Sequence, residues 1–206
     1  IETVVKALAD YGAPIYVRGE LVHHRHVVDD LASKGAVFVD DPSAVPEGAT
    51  IVLSAHGSSP EIYQSCRDRN LRIIAATCPL VSKVHAEVRR YAKRGATVLL
   101  VGHTNHDEVI GTRGEAPDLV IVVEDADQAR TVEVPDPSNV ALATQTTLSL
   151  DDMSEIIQIL RRRFPDLQEP TSSDICYATQ NRQDAVKATV TEGAELVLVV
   201  GSRNSS

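Results

Sequence analysis

Short apolar runs that recur along the chain constrain its fold more than any other feature of the sequence. They are rich in Val and Ile, and several show no alternation of polar and apolar residues. A strand that is covered on both faces has this composition, and such strands occur in parallel sheets flanked by helices. The predicted strands are 15–17, 36–39, 50–55, 72–76, 96–101, 119–123, 140–143 and 196–200.

Amphipathic segments lie between these runs. One places an apolar residue at every fourth position over 80–92, and Gly95 follows where such a helix would end. Another carries an apolar stripe over 153–160 and follows Ser149, a residue type that caps helix starts. The alternation of strands and helices predicts an α/β fold with right-handed crossovers, built as more than one small sheet.

Composition and charge exclude several classes of protein. Hydrophobic residues make up 43% of the 206 residues, which is ample for a packed core and argues against disorder. Aromatic residues make up only 3% and the net charge is −9, so nucleic acid and anionic membranes are not expected as partners. No apolar run approaches the ~20 residues of a membrane span. Three cysteines, an odd number, do not form a secreted disulfide framework, so we expect a cytoplasmic protein.

Polar residues gather where the predicted parallel strands end. Ligands of such sheets bind beyond the carboxyl ends of the strands. We therefore predict one cleft lined by His, Ser and Thr with one Cys and one Glu, suited to a phosphorylated ligand beside a thiolate-bound centre. The segments that would line this cleft are 54–57, 77–79, 102–108, 144–147 and 201–206.

Two of the cysteines precede predicted helices. Cys78 lies between a strand and a helix that begins at Pro79. A single cysteine is most often a small buried apolar residue, but the position before a helix stabilises the thiolate, the form that binds metal. Cys176 also precedes a predicted helix, whereas Cys66 lies within one and is interpreted as incidental. No two cysteines have the spacing of a zinc ribbon, and spacing alone does not show whether they converge on a cluster.

Three histidines and one glutamate are candidates for binding and proton transfer. His23 precedes a predicted helix and is either a solvated residue or part of an anion site. His56 adjoins Gly57 in a loop that lets backbone amides approach an anion. His106 and Glu108 share a loop, where a carboxyl group in a dry cleft serves as a proton donor, although a single Glu is more often a surface charge.

Six specific segments occur in order along the chain: SAHG, ATCPLVSKVH, GHTNHDEVIGT, TQTTLS, DICYATQNRQ and VVGSRNSS. Together they closely resemble the family of 4-hydroxy-3-methylbut-2-enyl diphosphate reductases, and the likeness extends over almost the whole chain. The resemblance implies three small parallel-sheet α/β domains around a central cleft, each supplying one cysteine to an iron–sulfur cluster. The implied domains are 1–78, 79–173 and 174–206, with the start of the first and the end of the third missing.

The resemblance also implies roles for individual residues. Cys78 and Cys176 match the second and third cysteine ligands of a [4Fe–4S] cluster, while the first belongs to a motif upstream of Ile1. Glu108 matches the carboxylate that delivers a proton, and Thr146 matches the threonine that hydrogen-bonds near it and near the substrate hydroxyl. The residues that match the diphosphate side of the substrate site are His23, His56, His106, Ser205 and Ser206.

The implied reaction is a two-electron reductive dehydroxylation of an allylic diphosphate, which gives isopentenyl and dimethylallyl diphosphates and water. The implied electron donor is ferredoxin or flavodoxin, and the implied location is the bacterial cytosol rather than a plastid. Asp107 departs from the Pro that is common in the family at this position. Because the chain begins at Ile1 inside a helical pattern and stops at Ser206 just after a predicted strand, we expect a fragment. With two of the three implied cysteine ligands, we expect this fragment to hold a cluster poorly or not at all and to be inactive by itself.

Three other interpretations stay open. The first is a non-redox α/β module that binds or isomerises a phosphorylated metabolite, with structural cysteines. The second is a thiol or zinc enzyme, and the third is a fragment that serves only as a folding or interaction unit. The first predicts a colourless full-length protein, the second predicts stoichiometric zinc, and the third predicts no cluster under any reconstitution.

Overall fold

The computed structural model describes residues 1–19, 24–172, 174–198 and 200. Within this part of the chain, two compact units separate between Cys78 and Pro79. Each unit contains one parallel sheet flanked by helices, which confirms the predicted α/β class. The division into three domains, with a second boundary after residue 173, stays a prediction.

The first unit is a four-stranded parallel sheet built from alternating helices and strands. In chain order its elements are α1 (Glu2–Tyr11), β1 (Ile15–Arg18), α2 (Arg25–Ser33), β2 (Ala36–Val39), a 3₁₀ turn (Pro42–Ala44), β3 (Thr50–Leu53), α3 (Pro60–Asp68) and β4 (Arg72–Ala75). The strands lie in the order β2-β1-β3-β4, so β1 and β3 are central. Every neighbouring pair is parallel, so all four strands end at the same edge of the sheet.

Side chains of the two central strands alternate between two apolar layers, as the period of two in a strand requires. Val17 and Val52 pack in the layer that contains α1 and α2. Ile51 and Leu53 pack in the opposite layer, together with Cys66 of α3. Burial of each such aliphatic side chain contributes about 1.5–3 kcal/mol. Cys66 is thus a core residue, and burial raises the pKa of its thiol.

The second unit is a three-stranded parallel sheet with a longer set of helices. Its elements are α4 (Pro79–Ala92), β5 (Thr97–Val101), α5 (Asp107–Arg113), β6 (Val120–Val123), α6 (Ala126–Thr131), β7 (Val140–Thr144), α7 (Leu150–Arg163) and α8 (Tyr177–Thr191). The strand order is β6-β5-β7, so the chain places β6 on one side of β5 and β7 on the other. Among the described residues, no helix is both long enough and apolar enough to span a bilayer.

The core of the second unit lies on both faces of β5 and β7, in which every residue is buried. One face packs against α7 and the other against α4. The predicted stripe of α7 is confirmed, because Met153, Ile156 and Leu160 are buried in the same cluster as Leu99 and Leu142. The fully apolar character of these two strands therefore reflects helices on both sides of the sheet.

The predicted strand over 196–200 is wrong for the residues that the structure describes there. Residues 194–198 and 200 have no strand conformation, and Leu196 and Leu198 are 77% and 81% exposed. A strand is stable only beside a partner with free backbone groups, and the outer edge of β7 is already bridged by Gln168. The preceding helix α8 buries no side chain. Apolar composition alone thus did not produce a strand here.

Candidate functional site

Polar segments follow the carboxyl ends of neighbouring parallel strands in both units. In the first unit, 54–59 follows β3 and 76–78 follows β4, and in the second unit, 102–106 follows β5 and 145–149 follows β7. The strands of each pair are adjacent and parallel. Each pair of loops therefore meets at one edge of its own sheet, the place where α/β sheets bind ligands.

The loop after β3 in the first unit has the features of a binding loop. Gly57 has a φ of +85°, a left-handed conformation that glycine adopts without strain. Ser58 is 4% exposed, and its Oγ has no hydrogen-bond partner within the described ranges. A buried hydroxyl without a partner costs about 1–3 kcal/mol, a cost that a ligand oxygen would offset. His56, beside Gly57, is half-buried in the same loop.

Cys78 lies next to this loop. Its backbone N–H donates a hydrogen bond to the carbonyl oxygen of Ala55 at 3.0 Å. Its thiol is free and half-buried, and α4 begins at the next residue, Pro79, as predicted. The first unit therefore brings Cys78 and the loop of His56 together.

Glu108 is the most deeply buried acidic residue near the strand ends of the second unit, with 1% exposure. The backbone N–H of Thr146 donates to Glu108 Oε1 at 2.7 Å, and the Thr146 hydroxyl donates to Glu108 Oε2 at 3.0 Å. Both carboxylate oxygens are thus held by one residue from the loop after β7. The structure brings together the two residues that the resemblance links, although 38 positions separate them in the sequence.

Burial sets the ionisation of Glu108. It raises the pKa of this carboxyl group from its ordinary value of 4.5 to about 7, because the charged form loses its hydration. The hydrogen bonds from Thr146 and positive charge on His85 oppose the rise, while the negative charge of Asp174 adds to it. The group therefore carries a proton for part of the time near pH 7, the condition that suits a general acid.

His106 caps the helix that carries Glu108. It is the residue before α5, and its Nδ1 accepts a hydrogen bond from the backbone N–H of Glu108 at 3.2 Å. A neutral ring whose Nδ1 accepts must carry its proton on Nε2. The half-buried imidazole can therefore donate from Nε2 while its other nitrogen fixes the first turn of α5.

Gly102 allows α5 to approach the loop after β7. A Cβ placed on Gly102 would lie 2.6 Å from Val109 Cγ2 and 3.0 Å from Gln145 Cβ. Gln145 is fully buried, accepts the N–H of His103 at 3.0 Å and donates to the Thr147 hydroxyl at 2.9 Å. The missing side chain at Gly102 thus lets the two loops hydrogen-bond to each other.

We expect Gly102→Ala to lower the free energy of unfolding by about 1–3 kcal/mol, because the added methyl group overpacks a closed contact. Urea unfolding of the full-length protein, followed by circular dichroism, measures this change. A loss below about 0.5 kcal/mol, the usual size of a surface substitution, would show that the contact relaxes at little cost.

Cys176 joins the same site. It is the residue before α8, and its thiol is free and half-buried. Its backbone N–H donates to the carbonyl oxygen of Thr146 at 2.6 Å. Thr146 is therefore bonded to Glu108 through its N–H and hydroxyl and to Cys176 through its carbonyl oxygen. The second unit brings together Glu108, Thr146, Cys176 and the capping residue His106.

Sequence reasoning missed three residues that hold these loops. Lys83 of α4 donates to Asp174 Oδ1 at 2.8 Å, and Asp174 has a fully buried side chain. Gln145 connects the loops after β5 and β7. Lys83 lies in the segment ATCPLVSKVH, Asp174 in DICYATQNRQ and Gln145 in TQTTLS. The sequences of these segments do not show which residues contact each other in the fold.

Three predicted site residues, His23, Ser205 and Ser206, lie outside the described residues. No group of three His, Cys, Asp or Glu side chains is placed to hold a metal ion in the ranges that the structure describes. Cys78 and Cys176 nevertheless have the soft sulfur donors of an iron–sulfur centre, each free and half-buried before a helix. Each of them, within its own unit, has the donor atom and the partial exposure that a cluster ligand needs, whereas Cys66 is enclosed in the core.

Comparison with known proteins gives one consistent result. The family model described as LytB protein matches residues 1–206. Curated relatives named 4-hydroxy-3-methylbut-2-enyl diphosphate reductase are 55% identical in Acidothermus cellulolyticus and 58% identical in Rhodococcus jostii, over all 206 residues. The chain covers 60% and 61% of those two proteins. It thus spans about three fifths of the length of the curated relatives that it matches.

Solved structures agree with these relatives. The (E)-1-hydroxy-2-methyl-but-2-enyl-4-diphosphate reductase from Plasmodium falciparum is 42% identical, with a TM-score of 0.95 over 100% of this chain and 64% of that one. A second structure, described as (E)-4-hydroxy-3-methyl-but-2-enyl diphosphate reductase, the terminal enzyme of the non-mevalonate pathway, is 29% identical. Its TM-score is 0.73 over 93% of this chain and 67% of that one. The parallel α/β fold is therefore shared.

Proposed function

Because the chain belongs to the LytB protein family, we propose that the whole protein reduces 4-hydroxy-3-methylbut-2-enyl diphosphate. The reaction takes up two electrons and two protons, breaks the allylic C–O bond and releases the hydroxyl group as water. Its products are isopentenyl diphosphate and dimethylallyl diphosphate. The observation that carries this proposal is the buried, protonatable Glu108, held by Thr146, whose carbonyl oxygen accepts the backbone N–H of Cys176.

Glu108 has the properties of the acid that this reaction needs. A hydroxide ion is a poor leaving group, so the allylic oxygen must receive a proton as the C–O bond breaks. Burial raises the pKa of Glu108 to about 7, so a proton is present at the start of the reaction. The Thr146 hydroxyl, 3.0 Å from Glu108 Oε2, orients the carboxyl group and stands where a substrate hydroxyl could join the same hydrogen-bond chain.

Cys78 and Cys176 are the residues of this chain that would hold a [4Fe–4S] cluster. Both thiols are free and half-buried. When bound, the cluster supplies the electrons and a Lewis acid for the leaving oxygen. The third cysteine that the resemblance implies would come from outside these 206 residues, which is consistent with the share of each relative that the chain covers.

The diphosphate group is assigned to basic and hydroxyl side chains. In the first unit, the left-handed turn at Gly57 and the buried hydroxyl of Ser58 support His56 in this role. In the second unit, His106 would donate from Nε2 because its Nδ1 is occupied by the Glu108 N–H. The residues assigned to the diphosphate side of the site are His23, His56, His106, Ser205 and Ser206.

We assign Thr146 to the substrate hydroxyl. We assign electron delivery to ferredoxin or flavodoxin, and we assign the protein to the bacterial cytosol.

Anaerobic purification of the full-length protein tests this proposal directly. We expect about four iron and four sulfide per protein, a broad absorbance of an iron–sulfur cluster and conversion of the allylic diphosphate by the reduced protein. Cys176→Ala should lower the iron content, whereas Cys66→Ala should leave it unchanged because Cys66 belongs to the apolar core. A colourless protein that turns over no allylic diphosphate, or one that holds stoichiometric zinc, would contradict the assignment.

A further inference from the structure

The segment that ends at Cys176 is held mainly by hydrogen bonds. The helix that follows it, α8, buries no side chain, so packing of that helix does not fix the cysteine. On the other side, Ile175 packs only partly against the core cluster around α7. The backbone N–H of Cys176 donates to the carbonyl oxygen of Thr146 at 2.6 Å. Asp174, two residues before Cys176, provides a further contact that holds this segment.

Asp174 is tied to two other elements of the second unit. Its side chain is fully buried, and its Oδ1 accepts a hydrogen bond from Lys83 Nζ of α4 at 2.8 Å. The backbone N–H of Thr144, at the end of β7, also donates to this carboxylate. Lys83 Nζ donates a second bond to the carbonyl oxygen of Ser172 at 2.8 Å. The Lys83 ammonium group thus binds the segment before Cys176 at two residues, Ser172 and Asp174.

Lys83 is itself held in place. Its side chain is 28% exposed, and Glu87, one turn further along α4, places a carboxylate oxygen 3.8 Å from Lys83 Nζ. The Glu87 side chain is 9% exposed. A cation shared between two poorly hydrated carboxylates has few alternative positions, because leaving either one unpaired costs several kcal/mol. Buried ion pairs of this kind contribute more to a defined geometry than to net stability.

We propose that Lys83 is a positioning residue, whose ion pair with Asp174 fixes Cys176 at Thr146, the residue that also holds Glu108. The role of Cys176 as a cluster ligand rests on the proposed function, but the positioning of its thiol does not. Without the Lys83 ammonium, Asp174 would turn toward water and release Ser172 and residues 174–176. The thiol would then sample positions away from Thr146, while the core of the unit stays folded.

The three cysteines of the chain allow a direct test of this proposal. In the cluster-free full-length protein, iodoacetamide labelling followed by mass spectrometry gives a separate rate for each thiol. We expect Lys83→Met to raise the labelling rate of Cys176 about tenfold, because local opening exposes the thiol. Cys66 is fully buried in the first unit and reports unfolding of the whole protein, so its rate should not change, while the next control reports on the second unit itself.

Matched variants separate positioning from general stability. Arg161→Met removes another ion pair of the same unit, in which Arg161 Nε lies 2.7 Å from Glu169, and should leave the Cys176 rate unchanged. If Lys83→Met does not fold, the double variant Lys83→Met/Asp174→Asn removes the unpaired Asp174 carboxylate, while Glu87 keeps Arg90 Nη2 at 4.0 Å, and it should show the same rise. An unchanged Cys176 rate, or equal rises at Cys66 and Cys176, would overturn the proposal.

A second readout uses the holoprotein. Iron release to a chelator should be about tenfold faster in Lys83→Met than in the wild type, since a poorly fixed ligand dissociates more often. If the wild-type full-length protein holds no cluster, the proposed function fails, yet the labelling rates still decide whether Lys83 positions Cys176. If the cluster forms and both iron release and labelling are unchanged, the proposed function stands and the positioning role is wrong.

Discussion

Glu108→Gln in the full-length protein is expected to lower kcat by about 10²- to 10⁴-fold, the usual contribution of a general acid. Glutamine has the same shape, so its Oε1 can still accept the Thr146 N–H while its amide donates to the Thr146 hydroxyl. It has no proton to give near pH 7. Iron content, the visible spectrum and KM for the allylic diphosphate should therefore stay close to those of the wild type.

Glu124→Gln is the matched control for this variant. Like Glu108, Glu124 accepts a hydrogen bond from a backbone N–H. The donor is Thr104, in the loop after β5, at 2.7 Å, but the Glu124 carboxylate is exposed. Its replacement should leave kcat unchanged.

The wild-type rate should also fall as pH rises through about 7, where Glu108 loses its proton, and this step should be absent from the residual rate of Glu108→Gln. A kcat within a factor of about three of wild type would remove Glu108 from the role of acid.

The strands of both sheets could be predicted because they carry no polar interruption. All residues of β3 and β5 are buried, and their sequences, TIVL and TVLLV, show it directly. The predicted end of β3 was two residues too long, since Ser54 and Ala55 leave the ladder to begin the loop of His56. Ser54 and Ala55 are small and lie just before His56, where the backbone leaves the sheet. The end of a strand is thus least predictable where a binding loop begins.

The contacts of the candidate site could not be predicted from patterns along the chain. Glu108 meets Thr146 because β5 and β7 are neighbours, although β6 lies between them in sequence. Lys83 meets Asp174 across 91 positions for a similar reason, since α4 packs on the sheet whose end Asp174 approaches. Strand order decides both contacts, and local propensity does not encode strand order. The resemblance to the family suggested roles for Glu108 and Thr146. The contacts that Glu108 and Lys83 make became visible only once the strand order and helix packing were known.

The burial that raises the pKa of Glu108 should make the protein less stable at higher pH. Below pH 4.5 the carboxyl group is protonated in both the folded and the unfolded states. Between pH 4.5 and about 7 the unfolded chain loses this proton while the folded chain keeps it. The unfolded state then binds fewer protons, so the free energy of unfolding falls with rising pH, by ~3 kcal/mol in total from this one group.

The difference between wild type and Glu108→Gln isolates this contribution. Burial also raises the pKa values of Glu87 and Asp174, and these groups change stability in the same direction in both proteins. Urea unfolding from pH 4.5 to 8, followed by circular dichroism, should show the glutamine variant gaining ~3 kcal/mol relative to wild type across this range. A gap that stays constant with pH would mean that the pKa of Glu108 is the same in the folded and unfolded states, near its ordinary value of 4.5. Glu108 would then have no proton to deliver near pH 7, so the stability measurement and the kinetic measurement test the same buried carboxyl group independently.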